Sequence, residues 1–413
     1  MKKTVCMLAA LMVCAVCAGL CAQSADFVMD GTTLVKYKGN GASVTIPEGV
    51  TAIREGSFFQ CFSIRSLAIP ASVTTIGAGT FEWCLYLTDI TVDVQNNAYS
   101  SVDGILFNKN KTIIVRYPEG KKEKSYTIPE GVTAIGYGAF SGCYSLTSIV
   151  IPSSVTVIGG WALHDCGNLE NITIPAGVTA IRAGTFNGCT KLTGIAIPEG
   201  VTSIGDGALG GCTGLTSITI PASVGVIGKS VFGGCTGIVS INVDARNSAY
   251  SSIEGTLFNK DKTILYQYPS GRQAAAYAIP AGVTFIDYAA FDRCKSLTSV
   301  TIPPGVTAIG RYAFSGCFSL TSVNIPESVT TIGESAFTMC GLTGITLPES
   351  VTVIGDTAFS YNKFTSVTIP PGVTSIGYRA FYSCRSLTTV TVSRKTTIGK
   401  DAFPDGVTVT YSD

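Results

Sequence analysis

Cysteine is the residue type in this sequence with the widest chemistry, because its thiolate attacks electrophiles, binds metals and forms disulfides. The chain of 413 residues has 15 cysteines, and four of them lie within the first 21 residues. The other eleven cannot all pair within the chain, because their number is odd. They are Cys61, Cys84, Cys143, Cys166, Cys189, Cys212, Cys235, Cys294, Cys317, Cys340 and Cys384.

This cysteine series is compatible with disulfides, with metal ligation or with buried free thiols. A disulfide needs Cβ atoms about 3.8 Å apart, whereas equivalent side chains on neighbouring parallel strands lie about 4.8 Å apart. Asn362 replaces a cysteine between Cys340 and Cys384, and asparagine can join a hydrogen-bonded ladder but not a disulfide. No two of these eleven cysteines form the CxxC pair that is common in zinc sites. We therefore predict buried free thiols, no bound metal and no cofactor.

The single histidine, His164, lies beside Asp165 in the sequence WALHDC. Catalysis by His164 would also need a positioned nucleophile, and His164 occupies a variable position of a repeated motif. The carboxylates likewise recur at variable turn positions, such as Glu130, Glu199, Glu327 and Glu349. We therefore predict a surface histidine, solvated corners and a protein that is not an enzyme.

These residues all belong to a repeat whose period is marked by proline. Proline occurs at positions 129, 152, 175, 198 and 221, and again at 280, 303, 326, 348 and 370. The regular step of 22 or 23 residues is typical of leucine-rich repeats, whose coils stack into a solenoid. An Ile-Gly corner marks about 13 coils, at Ile53, Ile76, Ile135, Ile158, Ile181, Ile204, Ile227, Ile286, Ile309, Ile332, Ile354, Ile376 and Ile398.

Residues 215–237 show how one coil is built. Ile218 and Ile220 alternate with Ser217 and Thr219, which predicts a strand of about four residues. Proline ends this strand, and Gly228 turns the chain where a side chain would clash or need positive φ. Residues 230–232 are predicted to form a turn of 3₁₀ or α-helix. The buried stripe is predicted to contain Phe58, Phe81, Phe140, Phe186, Phe232, Phe291, Phe314, Phe337, Phe359, Phe381 and Phe403.

The predicted fold class is therefore an α/β repeat solenoid, a right-handed superhelix of leucine-rich repeats with a parallel β-sheet on one face. Two segments interrupt it, residues 92–127 and 243–278, and they are near copies of each other. Each copy is predicted to contain a β-hairpin, with its turn at residues 108–111 or 259–262.

The solenoid is predicted to span residues 45–413, with a distinct segment at each end. Residues 25–44 are predicted to form a capping hairpin that turns at Gly39-Asn40-Gly41. At the other end, residues 404–413 alternate like one last strand.

Residues 1–24 have the features of a secretory signal peptide. Two lysines precede an apolar run over residues 5–20, and a small-x-small cleavage site follows at residues 22–24. A membrane anchor is the alternative, although no charge cluster ends the run, and lipidation at Cys21 stays open. We expect an exported chain that is secreted, at the cell surface or in the periplasm, with no membrane span in the mature part.

The consensus x-x-L-T-S-I-x-I-P-x-x-V-T-x-I-G-x-x-A-F-x-x-C resembles the BspA-type leucine-rich repeat of surface antigens from host-associated bacteria and some protists. The resemblance covers nearly all of the mature chain, with Leu347 for isoleucine and Asn362 for cysteine among its departures. It implies a secreted or surface-exposed protein, in a family whose members act as adhesins that bind host matrix proteins or other cells. It brings no catalytic residues.

Three functions from different classes are compatible with the sequence. The first is a surface protein that mediates protein–protein or cell–host adhesion, and the second is a passive structural component of the cell envelope. The third is an ice-binding solenoid, which the many interruptions of the outward threonine array disfavour. The near balance of 28 basic and 27 acidic residues does not favour nucleic acid as a partner.

Partner contacts are predicted on the inserts, because the outward strand residues are small and polar and lack the aromatic and arginine anchors of tight interfaces. The alternative is that the inserts only complete the solenoid. The predicted contact residues are Arg116, Tyr117, Lys121, Lys122, Lys124 and Tyr126 in the first insert, and Tyr266, Tyr268, Arg272 and Tyr277 in the second.

Overall fold

The structure of this chain is a computed structural model that describes residues 26–412. The predicted signal peptide and the open question of lipidation at Cys21 lie outside the described residues. The chain divides into two compact units, Met1–Leu169 and Glu170–Asp413. Their described parts form β-strands and turns and contain no helix. No helix that could cross a bilayer is therefore found among the described residues. The α/β prediction is therefore wrong, and each unit is a β-solenoid.

The described part of the first unit contains β1 (Phe27–Asp30), β2 (Thr33–Tyr37), β3 (Ser43–Thr45), β4 (Ala52–Ile53), β5 (Ser66–Ile69), β6 (Thr75–Ile76), β7 (Asp89–Val92), β8 (Tyr99–Val102), β9 (Ile105–Asn108), β10 (Ile113–Arg116), β11 (Ser125–Thr127), β12 (Ala134–Ile135), β13 (Ser148–Val150) and β14 (Val157–Ile158). They form four sheets, in the orders β1-β2-β4-β6, β3-β5-β7, β14-β12-β10-β9-β8 and β11-β13.

The described part of the second unit contains β15 (Ala180–Ile181), β16 (Ser203–Ile204), β17 (Ser217–Ile220), β18 (Val226–Ile227), β19 (Ser240–Val243), β20 (Tyr250–Ile253), β21 (Thr256–Asn259), β22 (Ile264–Gln267), β23 (Ala276–Ala278), β24 (Phe285–Ile286), β25 (Ser299–Thr301), β26 (Ala308–Ile309), β27 (Ser322–Asn324), β28 (Thr331–Ile332), β29 (Val353–Ile354), β30 (Ser366–Thr368), β31 (Ser375–Ile376), β32 (Thr389–Ser393), β33 (Thr397–Ile398) and β34 (Thr408–Ser412). The longest sheet has nine strands, in the order β20-β21-β22-β24-β26-β28-β29-β31-β33.

A typical coil contributes two strands to two separate parallel ladders, not one strand to a single face as predicted. The strand before the proline is the first, and in β17 its burial alternates as expected, with Ile218 and Ile220 inside and Ser217 outside. The second is the two-residue strand that ends at the Ile-Gly corner. Successive corners pair in register, for example Ile309 with Ile332.

The segment predicted to be a helical turn forms a third line of hydrogen bonds between coils. The amides of Leu209 and Gly211 donate to the carbonyls of Val231 and Gly233 in the next coil, at 3.1 and 2.8 Å. An amide that bonds to the next coil is not available for a helical bond within its own coil. Ser230 moreover has φ +52°, which is outside the right-handed helical region.

The corner glycine is needed for space. A Cβ added to Gly228 would lie 2.5 Å from the amide nitrogen of Asp206 in the preceding coil, which is closer than non-bonded atoms tolerate. Positive φ falls instead two residues later, at Ser230. Glycine is therefore required at position 228 because a side chain would clash with the preceding coil, and not because the backbone has positive φ.

Stacked aromatic rings fill much of the core of each unit. In the second unit, Phe314 lies between Phe291 and Phe337, with ring centroids 4.7 and 5.0 Å apart and nearly parallel planes. The predicted phenylalanine stripe is buried throughout except for Phe403, which is half-buried. The rings therefore pack the interior, as predicted.

The count of about 13 coils is wrong, because residues 26–412 make about 17 turns. Strands β2, β10 and β22 pair with the next Ile-Gly strand in parallel, so the terminal hairpin and both inserts also supply turns of the solenoid. The last strand, β34, pairs in parallel with β32 and extends the other ladder.

The turns of the two insert hairpins lie where the sequence predicted them, whereas the turn of the N-terminal hairpin does not. Each insert turns between β9 and β10 or between β21 and β22, as predicted, but an additional antiparallel strand, β8 or β20, makes it three-stranded. The N-terminal hairpin turns at Gly31 and Thr32, between β1 and β2, and not at residues 39–41. Gly31 has φ +57°, so it supplies the left-handed residue that the turn needs.

Candidate functional site

Three of the ten predicted contact residues lie in the core. Arg116, Tyr117 and Tyr268 are at most 4% exposed, so they cannot contact a partner in this fold. Tyr117 stacks on Phe140 with centroids 5.3 Å apart, and Tyr268 stacks on Phe291 at 5.2 Å. The insert tyrosines thus take the position that phenylalanine has in an ordinary coil.

The other predicted contact residues lie nearer the surface, but most are engaged with the solenoid. Lys122 and Lys124 are fully on the surface, whereas Lys121, Tyr126, Tyr266, Arg272 and Tyr277 are half-buried. Burial raises the pKa of Tyr126 to about 12. The guanidinium of Arg272 lies 5.4 Å from the ring of Tyr268 and donates to the carbonyl of Glu254. The inserts therefore present little free surface of the kind predicted.

Arg116 forms a buried ion pair with Glu119 of the same insert. The guanidinium also donates to the carbonyl oxygens of Gly138 at 2.6 Å and of Phe81 and Ser141 at 3.2 Å. Burial raises the pKa of Glu119, and the charge of Arg116 opposes that shift. The pair therefore joins the insert to the coils on both sides of it.

A further surface, which we call the turn face, was not predicted from the sequence. It consists of the residues between each Ile-Gly corner and the following cysteine. Several coils there have a large side chain at φ between +52° and +62°, where others have glycine: Trp83, Trp161, Arg293, Tyr312, Met339, Tyr361 and Arg379. A non-glycine residue in this region costs about 1 kcal/mol, so the fold alone gives no reason for these side chains.

In the second unit the turn face contains a cluster of tyrosines around Arg379. The guanidinium lies 4.9 Å from the ring centroid of Tyr378 and 4.6 Å from that of Tyr382. Tyr361 contacts Tyr382 edge-on at 5.9 Å. Tyr361 and Tyr378 are 47% and 40% exposed, so the cluster presents two aromatic rings and an arginine held between rings. We call these four residues the Tyr–Arg cluster.

In the first unit the turn face contains a small pocket. The buried Glu119 and Ser141 line its inner part, and the exposed rings of Trp83 and Tyr144 lie at its rim. Leu85, Gly142, His164 and Asp165 also line it. His164 Nε2 lies 3.5 Å from Asp165 Oδ2, and His164 Nδ1 lies 3.4 Å from Ser141 Oγ. The structure thus brings a hydroxyl, an imidazole and a carboxylate together, but the hydroxyl belongs to a buried side chain.

The cysteines have a structural role that explains their period. Thiols such as those of Cys166 and Cys340 donate to the carbonyl of the aromatic residue in the preceding coil, at 3.1 and 3.2 Å. Asn362, the replacement for cysteine, donates from Nδ2 to the carbonyl of Phe337 at 2.8 Å, so it does join a hydrogen-bonded ladder as predicted. Within residues 26–412, no group of three or more His, Cys, Asp or Glu side chains could hold a metal ion.

Thiol reactivity tests this assignment. Ten of the eleven free cysteines are buried, and Cys61 is half-buried. Burial raises the pKa of Cys84 and Cys235 to about 12, which suppresses the reactive thiolate. We expect Ellman's reagent to modify only Cys61 within minutes in the folded chain from residue 25, and all eleven thiols after unfolding in urea without reductant. Fewer than eleven reactive thiols after unfolding would instead indicate disulfides.

Comparison with known proteins agrees with the solenoid geometry. The sequence matches the family described as the BspA type leucine rich repeat region (6 copies) over residues 36–119, 117–239 and 284–409. The chain therefore belongs to the family of BspA-type leucine-rich repeat proteins. No curated protein matches it.

Two solved structures illustrate the likeness. A leucine rich cell surface protein from Faecalibacterium prausnitzii A2-165 is 30% identical, with 94% of this chain and 93% of that chain covered and a TM-score of 0.59. The pneumococcal vaccine antigen PcpA shares the fold at 20% identity, with coverage of 94% and 90% and a TM-score of 0.50.

Proposed function

We propose that this protein is an exported, non-catalytic surface protein that binds protein partners through its turn face, and that its role is adhesion to other cells or to host matrix proteins. Membership of the BspA-type family and likeness to a cell surface protein at 30% identity support the location. The signal peptide predicted from residues 1–24 supports export.

The observation that carries the binding proposal is the Tyr–Arg cluster. Tyrosine, tryptophan and arginine dominate the energetic centres of protein interfaces. The two aromatic residues bury much area with few rotatable bonds, and arginine supplies a planar group with several hydrogen-bond donors. The rings of Tyr378 and Tyr382 hold Arg379 in place before any partner binds, which lowers the entropy lost on binding. Tyr361 and Arg379 also have φ values of +60° and +52°, so their side chains are present despite a backbone cost.

The test is saturable binding of the chain from residue 25 to a panel of matrix proteins and epithelial cells, with and without the paired substitution Tyr361→Gly and Arg379→Gly. Glycine is compatible with the backbone at both positions, so we expect the fold to persist. We expect binding to weaken at least about tenfold, since each residue of an interface centre contributes upwards of about 1 kcal/mol.

Gln60→Gly provides the matched control, because Gln60 is exposed at φ +61° and lies in the first unit. It should leave binding unchanged. We use point variants and not deletion of the inserts to test binding. Strands β10 and β22 of the inserts pair with strands of the solenoid, so deleting an insert would break the ladder. If a folded preparation bound nothing on the panel, a passive component of the cell envelope would become the better assignment.

A further inference from the structure

The pocket of the first unit combines a buried carboxylate with exposed aromatic rings. Glu119 is 6% exposed. Its Oε1 accepts hydrogen bonds from Arg116 and from the amide of Trp83, the latter at 3.0 Å. Its Oε2 has no hydrogen-bond partner among the described residues. A buried carboxylate oxygen without a donor is unfavourable, and here it belongs to a residue that lines a pocket.

Negative charge predominates around this pocket. The charge of Glu82 is close enough to add to the effect of burial in raising the pKa of Glu119. The carboxylate of Asp165 lies on the other side, where it and Glu119 add to the effect of burial in raising the pKa of Tyr144. Arg116 is the one cation buried in this part of the described structure, and three backbone carbonyls already share its donors. The pocket thus offers acceptors and excess negative charge.

The rim of the pocket adds attraction for a cation. Trp83 and Tyr144 are 40% and 42% exposed, and the faces of such rings attract ammonium and guanidinium groups, tryptophan most strongly. Trp161 lies against His164 with centroids 4.9 Å apart, so a second indole adjoins the same lining. A ligand with N–H donors, positive charge and a slender apolar stem would satisfy all of these groups.

The second insert gives an internal comparison, because its block repeats the first at an offset of 151 residues. The equivalents of Glu119, Trp83, Tyr144 and Asp165 are Ser270, Gly234, Lys295 and Gly316. These substitutions remove both carboxylates and both rings while the insert keeps the same strands. The fold therefore does not require the pocket residues.

We propose that this pocket and its aromatic rim bind the charged end of a lysine or arginine side chain of a protein partner. The pocket has room for about one water-sized group, so one N–H group enters it and the rest of the side chain lies over the rim. The carboxylates of Glu119 and Asp165 accept the donors of the cation, and the rings of Trp83 and Tyr144 contact its stem and charge. The proposal rests on the proposed function, since it specifies the chemistry of a partner, but it concerns a different unit from the Tyr–Arg cluster.

Intrinsic fluorescence provides a label-free test. The chain contains two tryptophans; Trp83 lines the pocket and Trp161 packs against His164 of its lining. The chain from residue 25 would be titrated with four short peptides that differ only in a central arginine, lysine, norleucine or glutamate. We expect a saturable change in emission with arginine and lysine, and none with norleucine or glutamate.

The variant for this test is Tyr144→Lys with Asp165→Gly, which copies the second block and keeps both tryptophans. Asp165 has φ +53°, so glycine suits its backbone, and circular dichroism should confirm an unchanged fold. We expect affinity for the arginine peptide to fall at least about tenfold. The equivalent change in the second block, Lys295→Tyr, should leave it unchanged. Equal responses to all four peptides, no response, or equal affinity in the variant would each overturn the proposal.

The two proposals fail separately. Loss of peptide binding with partner binding retained, and still sensitive to Tyr361→Gly and Arg379→Gly, would remove only the pocket. Peptide binding in a protein that bound nothing on the panel would leave the pocket intact and remove the adhesion proposal.

Discussion

Replacing Glu119 with serine is expected to lower the free energy of unfolding by about 3–5 kcal/mol, because the guanidinium of Arg116 would remain buried without its counter-charge. Arg116 is 4% exposed, and its carbonyl partners cannot neutralise it. Urea unfolding followed by circular dichroism measures the effect as a shift of the midpoint at a constant m-value.

The double substitution Arg116→Gln with Glu119→Ser should recover most of that loss. It reproduces the second insert, where Gln267 Nε2 donates to the carbonyl of Ala290 at 3.3 Å and Ser270 Oγ donates to the carbonyl of Cys235 at 2.8 Å. Neutral groups therefore satisfy the same environment. If the double variant were as unstable as Glu119→Ser alone, the ion pair would be stabilising in itself, and the argument from the second insert would fail.

The pH dependence gives an independent check on the same pair. The pKa of Glu119 is raised in the folded state, mainly by burial, so the folded protein binds this proton more tightly than the unfolded chain does. Protonation of Glu119 therefore adds to the stability of the fold. This added stability is fully present below the unfolded pKa of about 4.3 and is lost as pH rises through the folded pKa, where the ionised carboxylate remains as the counter-charge of Arg116. We expect stability to decline more steeply with pH above about 4.3 in the native protein than in the double variant.

Replacing Asn247 with alanine should destabilise the protein by at least about 3 kcal/mol. Its side chain is fully buried in the second insert and makes four hydrogen bonds. Nδ2 donates to the carbonyls of Pro221 and Val224 at 2.8 and 2.9 Å, and Oδ1 accepts from the amides of Ala249 and Tyr250 at 2.9 and 2.8 Å. Each buried group left without a partner costs about 1–3 kcal/mol.

Asn96→Ala should have a similar effect, because Asn96 makes the equivalent four bonds in the first insert. The exposed Asn171 offers a matched control, and Asn171→Ala should change stability by less than about 0.5 kcal/mol. Thermal unfolding of the three variants would separate these outcomes. A shift for Asn247→Ala as small as that for Asn171→Ala would show that water replaces the amide at no cost.

The candidate site was only partly accessible from the sequence. The inserts attracted attention because they interrupt the repeat and are rich in tyrosine and lysine. One feature of the sequence indicated instead that the inserts are part of the solenoid. The segment from Ile114 to Tyr117 resembles the segment from Leu34 to Tyr37 in the N-terminal hairpin. All of these segments form strands of the solenoid, and the tyrosines join its aromatic stack. The turn face was missed because its large side chains occupy variable positions, which look like ordinary drift of the repeat.

The sequence by itself determined the repeat, the alternation within β17, the aromatic core and the ladder role of Asn362. These properties depend on period and side-chain type, which successive coils share. Only the tertiary structure decided the absence of helix in the described residues. Alternate amides of the turn segment, such as those of Leu209 and Gly211, bond to the next coil, so the amides between them, such as that of Gly210, close only isolated turns within their own coil. The tertiary structure also decided which tyrosines are buried and which carboxylates meet, since Glu119 and Asp165 are 46 residues apart in sequence and line one pocket only because the coils stack.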